Sequence, residues 1–134
     1  MFDLTEPRGT DIDPRTLLAL DFMKANLHRS VSMTEVASAV GLSRSRLYSV
    51  FTRSVGMAPL QYLKALRAQR SAALLESTFL SIKQVAAEVG YADDSHFMRD
   101  FRRAYGLRPS EYRERYFREE LGSQTEPTGR SSSK

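Results

Sequence analysis

Apolar residues recur at intervals of three and four along most of the chain, which is the period of a helix with one buried face. No stretch shows the strict alternation of apolar and polar residues, joined by tight turns, that is typical of strands. Capping and helix-breaking residues divide the pattern into about seven segments. The predicted helices cover residues 14–28, 33–40, 44–55, 59–76, 82–89, 95–105 and 109–119. We therefore expect an all-α fold.

Several helix starts are marked by residues whose side chains can cap a free backbone amide. Asp13 precedes a proline, and proline suits the first position of a helix. Ser32 with Glu35, and Ser81 with Gln84, have the spacing of a capping box, in which each side chain accepts a hydrogen bond from the other residue's backbone amide. These signals predict three helix starts independently of the apolar pattern.

The two ends of the chain lack this order. Residues 1–12 contain proline, glycine and acidic groups without a sustained period, and we expect them to form a flexible lead-in. Residues 120–134 are rich in small and polar residues and are predicted to be a disordered tail. Between these ends we expect one unit with a long linker helix over 13–76 and a second unit over 77–119.

The central part of the chain contains an internal repeat. Four residues recur 49 positions later: Val36, Ala37, Val40 and Gly41 return as Val85, Ala86, Val89 and Gly90. Five more recur 50 positions later: Phe51, Arg53, Gly56, Pro59 and Tyr62 return as Phe101, Arg103, Gly106, Pro109 and Tyr112. The one-residue change of offset falls within Ala92–Asp94, where a turn is predicted and an insertion is tolerated.

Each copy of the repeat has the pattern of a helix-turn-helix unit. A small alanine, Ala37 or Ala86, lies where two helices would cross closely, and a glycine follows in the tight turn. A simple helical bundle does not need two such units joined by one long helix, so the arrangement favours helix-turn-helix units over a bundle. The sequence therefore predicts two helix-turn-helix units joined by a long linker helix.

Charge favours a polyanionic partner. The 134 residues carry 20 lysines and arginines against 16 acidic residues, and no acidic residue occurs between Val36 and Leu75. Cysteine is absent, so no disulfide and no thiolate chemistry are available. No apolar run is long enough to span a membrane, so we expect no membrane partner and a cytoplasmic location.

The second helix of each unit presents a polar face away from its apolar residues. With Leu47 and Phe51 inward in the first unit, and Phe97 and Phe101 inward in the second, the opposite faces carry serines and arginines. The residues predicted to contact DNA bases are Ser45, Arg46, Ser49, Ser95, His96 and Arg99. Those predicted to contact phosphates are Arg44, Thr52, Arg53, Arg102 and Arg103. For each of them, the alternative is an exposed surface residue without a ligand.

Two further expectations concern how the units meet the duplex. The linker helix over 59–76 spans about 25 Å, and together with the width of the units it can set the recognition helices about 34 Å apart, which is one turn of B-DNA. If the spacing is shorter than one turn, the DNA must bend. Asp93 or Asp94 is expected to cap the second recognition helix, and Asp100 to pair with a nearby arginine. Because acidic groups repel phosphate, we expect less base readout from the second unit than from the first.

Six motifs over about 14–118 match a known family: Leu42-Ser43-Arg44-Ser45-Arg46-Leu47, Leu74-Leu75, Val89-Gly90-Tyr91, Ser95-His96-Phe97, Phe101-Arg102-Arg103 and Pro109-Ser110-Glu111-Tyr112-Arg113. In these motifs the chain resembles the AraC/XylS family of bacterial transcription regulators. The resemblance implies a seven-helix domain that binds double-stranded DNA as a monomer on asymmetric sites. It also implies contacts with RNA polymerase, with activation of transcription favoured over repression.

Most members of that family carry a separate effector-binding or dimerisation domain, for which this chain has no room. We therefore expect no small-molecule effector within this chain. It is either a stand-alone member or the DNA-binding part of a longer regulator. The lead-in and Asp13-Pro14-Arg15 resemble the linker entry of two-domain members and favour the second alternative.

An enzyme is not expected. The chain has only two histidines, His28 and His96, and no group of residues has the spacing of a metal site or a phosphate-binding loop. We predict no catalytic residue, metal or cofactor. The remaining alternative is a non-catalytic helical module that binds another protein, and the salt dependence of DNA affinity distinguishes the two.

Overall fold

The computed structural model describes residues 12–121, and within that range the chain folds into seven α-helices without a strand. The helices are α1 (Pro14–Asn26), α2 (Met33–Ala39), α3 (Arg44–Val55), α4 (Pro59–Ser77), α5 (Ile82–Glu88), α6 (Asp94–Tyr105) and α7 (Pro109–Tyr116). The all-α prediction is confirmed. The predicted flexible lead-in, apart from Ile12, and the predicted disordered tail from Gly122 onward lie outside the residues that the structure describes.

The C-terminal end of the last helix differs from the prediction. A π-helical turn over Phe117–Leu121 continues α7, so helical structure reaches two residues beyond the predicted end at Glu119 and into the segment predicted to be disordered. Arg118 donates a hydrogen bond to the carboxylate of Glu114 one turn earlier, at 3.2 Å. Because no helix-breaking residue occurs before Gly122, nothing in the local sequence ends the helix sooner.

Side-chain caps begin most of the helices as the sequence predicts. The Asp13 carboxylate accepts a hydrogen bond from the Arg15 amide at 2.9 Å, and Ser81 and Gln84 form both halves of a capping box. The other predicted box forms only in part. Ser32 caps the Glu35 amide, but the Glu35 carboxylate accepts a hydrogen bond from the Arg29 guanidinium at 2.6 Å. The Arg29 hydrogen bond lowers the pKa of the Glu35 carboxyl most, and the Ser32 backbone amide lowers it less, so the second half of this box is the weaker contact.

The helices enclose two hydrophobic cores that share α4. One core lies among α1, α2, α3 and the first half of α4, where Phe51, Leu63 and Met23 are fully buried. The other lies among the second half of α4, α5, α6 and α7, where Phe97 and Phe101 are buried. Because α4 contributes apolar side chains to both cores, it is a packed part of each unit and not a free spacer.

Candidate nucleic-acid interface

The first candidate recognition helix, α3, buries one face and exposes the other. Leu47, Val50 and Phe51 are buried against α1, α2 and α4. Ser43 caps the helix by accepting a hydrogen bond from the Arg46 amide at 3.1 Å. The predicted contact residues on this helix are all exposed: Arg44, Ser45, Arg46, Ser49, Thr52 and Arg53. The structure therefore leaves the predicted surface of α3 available to a ligand.

The second candidate recognition helix, α6, has the same arrangement. Asp93 caps it by accepting a hydrogen bond from the Ser95 amide at 2.8 Å, and Phe97 and Phe101 are buried. Helices α4, α5 and α7 pack against it. The predicted contact residues here are also all exposed: Ser95, His96, Arg99, Arg102 and Arg103. The repeat in the sequence thus corresponds to two helices with equivalent polar faces.

Arg46 and Arg53 lie together on the flank of α3 that borders α1. They line a groove of about 280 Å³ with Asp13 and Pro14 at the start of α1. The pKa of the Asp13 carboxyl falls to about 2, chiefly because of hydrogen bonds from Arg15, and the positive charge of Arg46 lowers it further. This flank is therefore cationic overall, although it contains one carboxylate.

Asp100 lies on the flank of α6 and borders the cleft between α4 and α6. It is half-buried and accepts a hydrogen bond from the Tyr91 hydroxyl at 2.8 Å. Burial, and then this hydrogen bond, raise the pKa of Tyr91. Within residues 12–121, Asp100 forms no ion pair with an arginine, contrary to the expected pairing. Burial lowers the pKa of the nearby Arg67, and electrostatic interactions with Tyr91 and Asp100 oppose this shift. The exposed Asp93 at the N-terminus of α6 has a carboxyl oxygen 3.6 Å from Nδ1 of His96.

Sequence reasoning missed two side chains on these helices. Tyr48 and Met98 are each 41% exposed and occupy equivalent positions of the repeat. An apolar side chain at the same outward position of both copies is the signal that could have identified them. Such side chains suit contact with the methyl group of thymine in the major groove.

Further cations surround α6. Arg99 and Arg103 line a cleft of about 590 Å³ between α4 and α6, where Lys64 also lies. On the other side, the same two arginines border a groove of about 420 Å³ with Arg102 and Arg108. Arg108 also forms an ion pair with Glu111 at 3.0 Å, which offsets part of its charge. Arginines thus border the α6 face on both sides, and the cleft toward α4 also contains the carboxyl groups of Asp93 and Asp100.

Two helix-turn-helix units on one shared helix, each exposing an arginine-bearing second helix, define a DNA-binding protein of the double helix-turn-helix class. A family model described as a helix-turn-helix domain matches residues 20–115. The chain belongs to the AraC/XylS family of bacterial transcription regulators. Since the AraC-type regulators are not enzymes, the prediction that this chain is not an enzyme is confirmed.

Two relatives illustrate the match. The chain is 32% identical over 98 residues to the lactose operon transcription activator of Staphylococcus xylosus, covering 73% of this chain and 35% of that protein. It is 32% identical over 113 residues to the xylose operon regulatory protein of Escherichia coli strain K12, covering 81% of this chain and 29% of that protein. The chain thus spans about a third of the length of these relatives.

Solved structures show the same fold. The C-terminal domain of AraT, a response regulator from Geobacillus stearothermophilus, matches with a TM-score of 0.76 and 26% identity, covering 79% of this chain and 88% of that one. The DNA-binding domain of AdpA in complex with a target DNA matches with a TM-score of 0.74 and 26% identity, covering 86% of this chain and 98% of that one. From Ile12 to Leu121, none of the helices is both long and apolar enough to cross a bilayer.

Proposed function

We propose that this chain reads double-stranded DNA by placing α3 and α6 in two successive major grooves, and that it regulates transcription in the bacterial cytoplasm. The observation that carries the proposal is the pair of exposed, arginine-bearing helix faces on units that share α4. The AdpA domain, which matches over most of its length, is in complex with a target DNA and supports the same use of this fold. The proposed boundaries are 13–76 for the first unit with its linker helix and 77–119 for the second.

The proposed roles divide the exposed residues by their position on the helices. Base edges are read by Ser45, Arg46, Ser49, Ser95, His96 and Arg99, and Tyr48 and Met98 add apolar contacts to thymine methyl groups. Phosphates are held by Arg44, Thr52, Arg53, Arg102 and Arg103. Backbone contacts of this kind set the register of the protein on the duplex, and the base contacts then select the sequence.

We further propose that one chain occupies one asymmetric site as a monomer, binds no effector within these helices, and contacts RNA polymerase to activate transcription. The lactose operon relative is named as a transcription activator, which supports activation. In-vitro transcription from a promoter that carries the selected operator decides between activation and repression.

Arg46→Ala and Arg99→Ala are each expected to relax the base preference at one position of the binding site. A guanidinium that donates two hydrogen bonds to guanine discriminates against the wrong base by about 1–3 kcal/mol. Selection of binding sequences from a random duplex library, followed by sequencing, measures the change. An unchanged motif for both variants, with wild-type folding by circular dichroism, would remove these two residues from base readout.

Arg53→Ala is expected to weaken binding to all sequences about equally. Arg53 is exposed on the flank of α3, where a phosphate contact positions the helix without reading a base. Log affinity falls with log salt, and loss of one phosphate contact should reduce the magnitude of this slope by about one. Arg115→Ala, at an exposed arginine on α7, is the matched control and should leave the slope unchanged. A loss confined to a few sequences would instead assign Arg53 to base readout.

A further inference from the structure

Arg67 joins the linker helix to the first unit from a buried position. It lies in the middle of α4 and is 8% exposed. Its Nη2 donates a hydrogen bond to the Arg29 carbonyl at 2.7 Å, and its Nε donates one to the Leu27 carbonyl at 3.4 Å. Both carbonyls belong to the turn between α1 and α2. This guanidinium is therefore not available to phosphate, although the charge pattern of the sequence counts it among the cations.

The same guanidinium also faces the second unit. Its central carbon lies 5.6 Å from the centroid of the Tyr91 ring, a distance at which a cation attracts an aromatic face. The Tyr91 hydroxyl in turn donates to Asp100 on α6. One continuous series of contacts thus runs from the α1–α2 turn through Arg67 and Tyr91 to the second candidate recognition helix.

Gly90 brings the backbones of the two units into close approach. A Cβ atom at this position would lie 2.5 Å from the Leu27 carbonyl oxygen and 2.7 Å from that of Arg29, and the residue has φ of +89°. Both the contact and the conformation require glycine. The Ser30 hydroxyl donates a hydrogen bond to the Gly90 carbonyl at 3.4 Å. The turn of one unit therefore abuts the turn of the other directly.

We infer that Arg67 and Gly90 hold the two helix-turn-helix units at one fixed angle, and that this makes the chain selective for the spacing of its two half-sites. We name these contacts, with Tyr91 and Asp100, the inter-unit latch. A rigid pair of recognition helices fits only one separation and rotation of the grooves, whereas a loose pair adapts to several. This inference rests on the proposed reading of DNA by α3 and α6, and Arg67 acts in it as a positioning residue without touching DNA.

The first test measures the angle without DNA. The chain contains no cysteine, so spin labels can be placed at Ser38→Cys on α2 and Ala87→Cys on α5, which are exposed and equivalent in the repeat. Electron–electron resonance then gives the distribution of label distances. We expect a narrow distribution in the otherwise unchanged chain and a broader one with Arg67→Met. Arg70→Met, at an exposed arginine on the same helix, is the matched control and should leave the distribution narrow.

The second test measures spacing selectivity on duplexes derived from the selected operator. Inserting one base pair between the half-sites rotates one of them by about 35° relative to the other. Since twisting or bending DNA to restore the fit costs energy, the unchanged chain should lose about tenfold or more in affinity. Arg67→Met should bind the original operator more weakly and lose only about threefold or less on the insertion, because the loose units adapt.

Two results with folded Arg67→Met would overturn the inference. One is a narrow distribution of label distances, and the other is a loss of affinity on the inserted duplex as large as that of the unchanged chain. If Arg67→Met fails to fold, Arg67→Lys and Tyr91→Phe replace it, since each weakens one link and is expected to broaden the distribution less. Narrow distributions in both would likewise overturn the inference. A third result separates the latch from the proposed function. If the label-distance distribution broadens in the variants but the affinity of the unchanged chain does not depend on half-site spacing, the latch holds the two units and the proposed use of two grooves is contradicted.

Discussion

The affinity of this chain for duplex DNA is expected to fall about a hundredfold or more between 50 and 200 mM salt. Four exposed arginines on the two recognition helices are assigned to phosphates: Arg44, Arg53, Arg102 and Arg103. If each neutralises one phosphate, log affinity should decline against log salt with a slope of about −4. Counterion release from DNA is the physical cause, so the effect holds for specific and non-specific duplexes alike.

Fluorescence anisotropy of a labelled duplex over a salt series measures this slope. Arg102→Ala should reduce its magnitude by about one, and Arg115→Ala on α7 should not change it. Lys64 and Arg108 border the same surface and steepen the slope if they also reach phosphate. Absent binding, or affinity that is flat with salt, would support the alternative of a non-catalytic helical module that binds another protein.

Phe101→Ala is expected to lower the free energy of unfolding by about 3–5 kcal/mol. Phe101 is 1% exposed, and its ring lies within 4.8–5.9 Å of the rings of Phe97, Tyr105 and Tyr112. Truncation leaves a cavity in the second core and removes these ring contacts together. Since marginal domains are stable by only about 5–15 kcal/mol, this one change should unfold a large part of the protein at moderate denaturant concentration.

Chemical denaturation followed by circular dichroism measures the loss. Phe51→Ala, at the equivalent position of the first unit, should cost a similar amount because Phe51 is fully buried. Met98→Ala is the matched control on α6, since this side chain is 41% exposed and should change stability by about 0.5 kcal/mol or less. A loss below about 1 kcal/mol for Phe101→Ala would show that the second core repacks around the gap.

Local chemistry explains why much of the fold could be predicted. Helix caps such as Ser43 and Ser81 act within three residues, and a helix face is set by a fixed angle per residue. The outward positions follow once Leu47 and Phe97 are placed inward, and every predicted contact residue is exposed. The use of those residues on DNA stays a prediction, because exposure alone does not choose a ligand.

Contacts between distant segments could not be predicted in the same way. Leu17 and Leu18 are apolar residues of α1, yet they are 41% and 55% exposed, while the polar Thr16 and the small Ala19 are buried. Apolar residues cover more than half of this helix's circumference, and only the position of its neighbours decides which side is enclosed. Glu35 likewise turns to Arg29, which local capping rules do not consider.

The sequence by itself determined the helices, the repeat and the polar faces, because these depend on periodicity and on residues a few positions apart. Only the tertiary structure determined which partners particular charged side chains contact. Arg67 is buried and donates hydrogen bonds to the carbonyls of Leu27 and Arg29. Asp100, which was expected to pair with an arginine, accepts a hydrogen bond from the Tyr91 hydroxyl. A buried charge goes to whichever partner can satisfy it, and that partner lies 38 or 40 residues away from Arg67 along the chain.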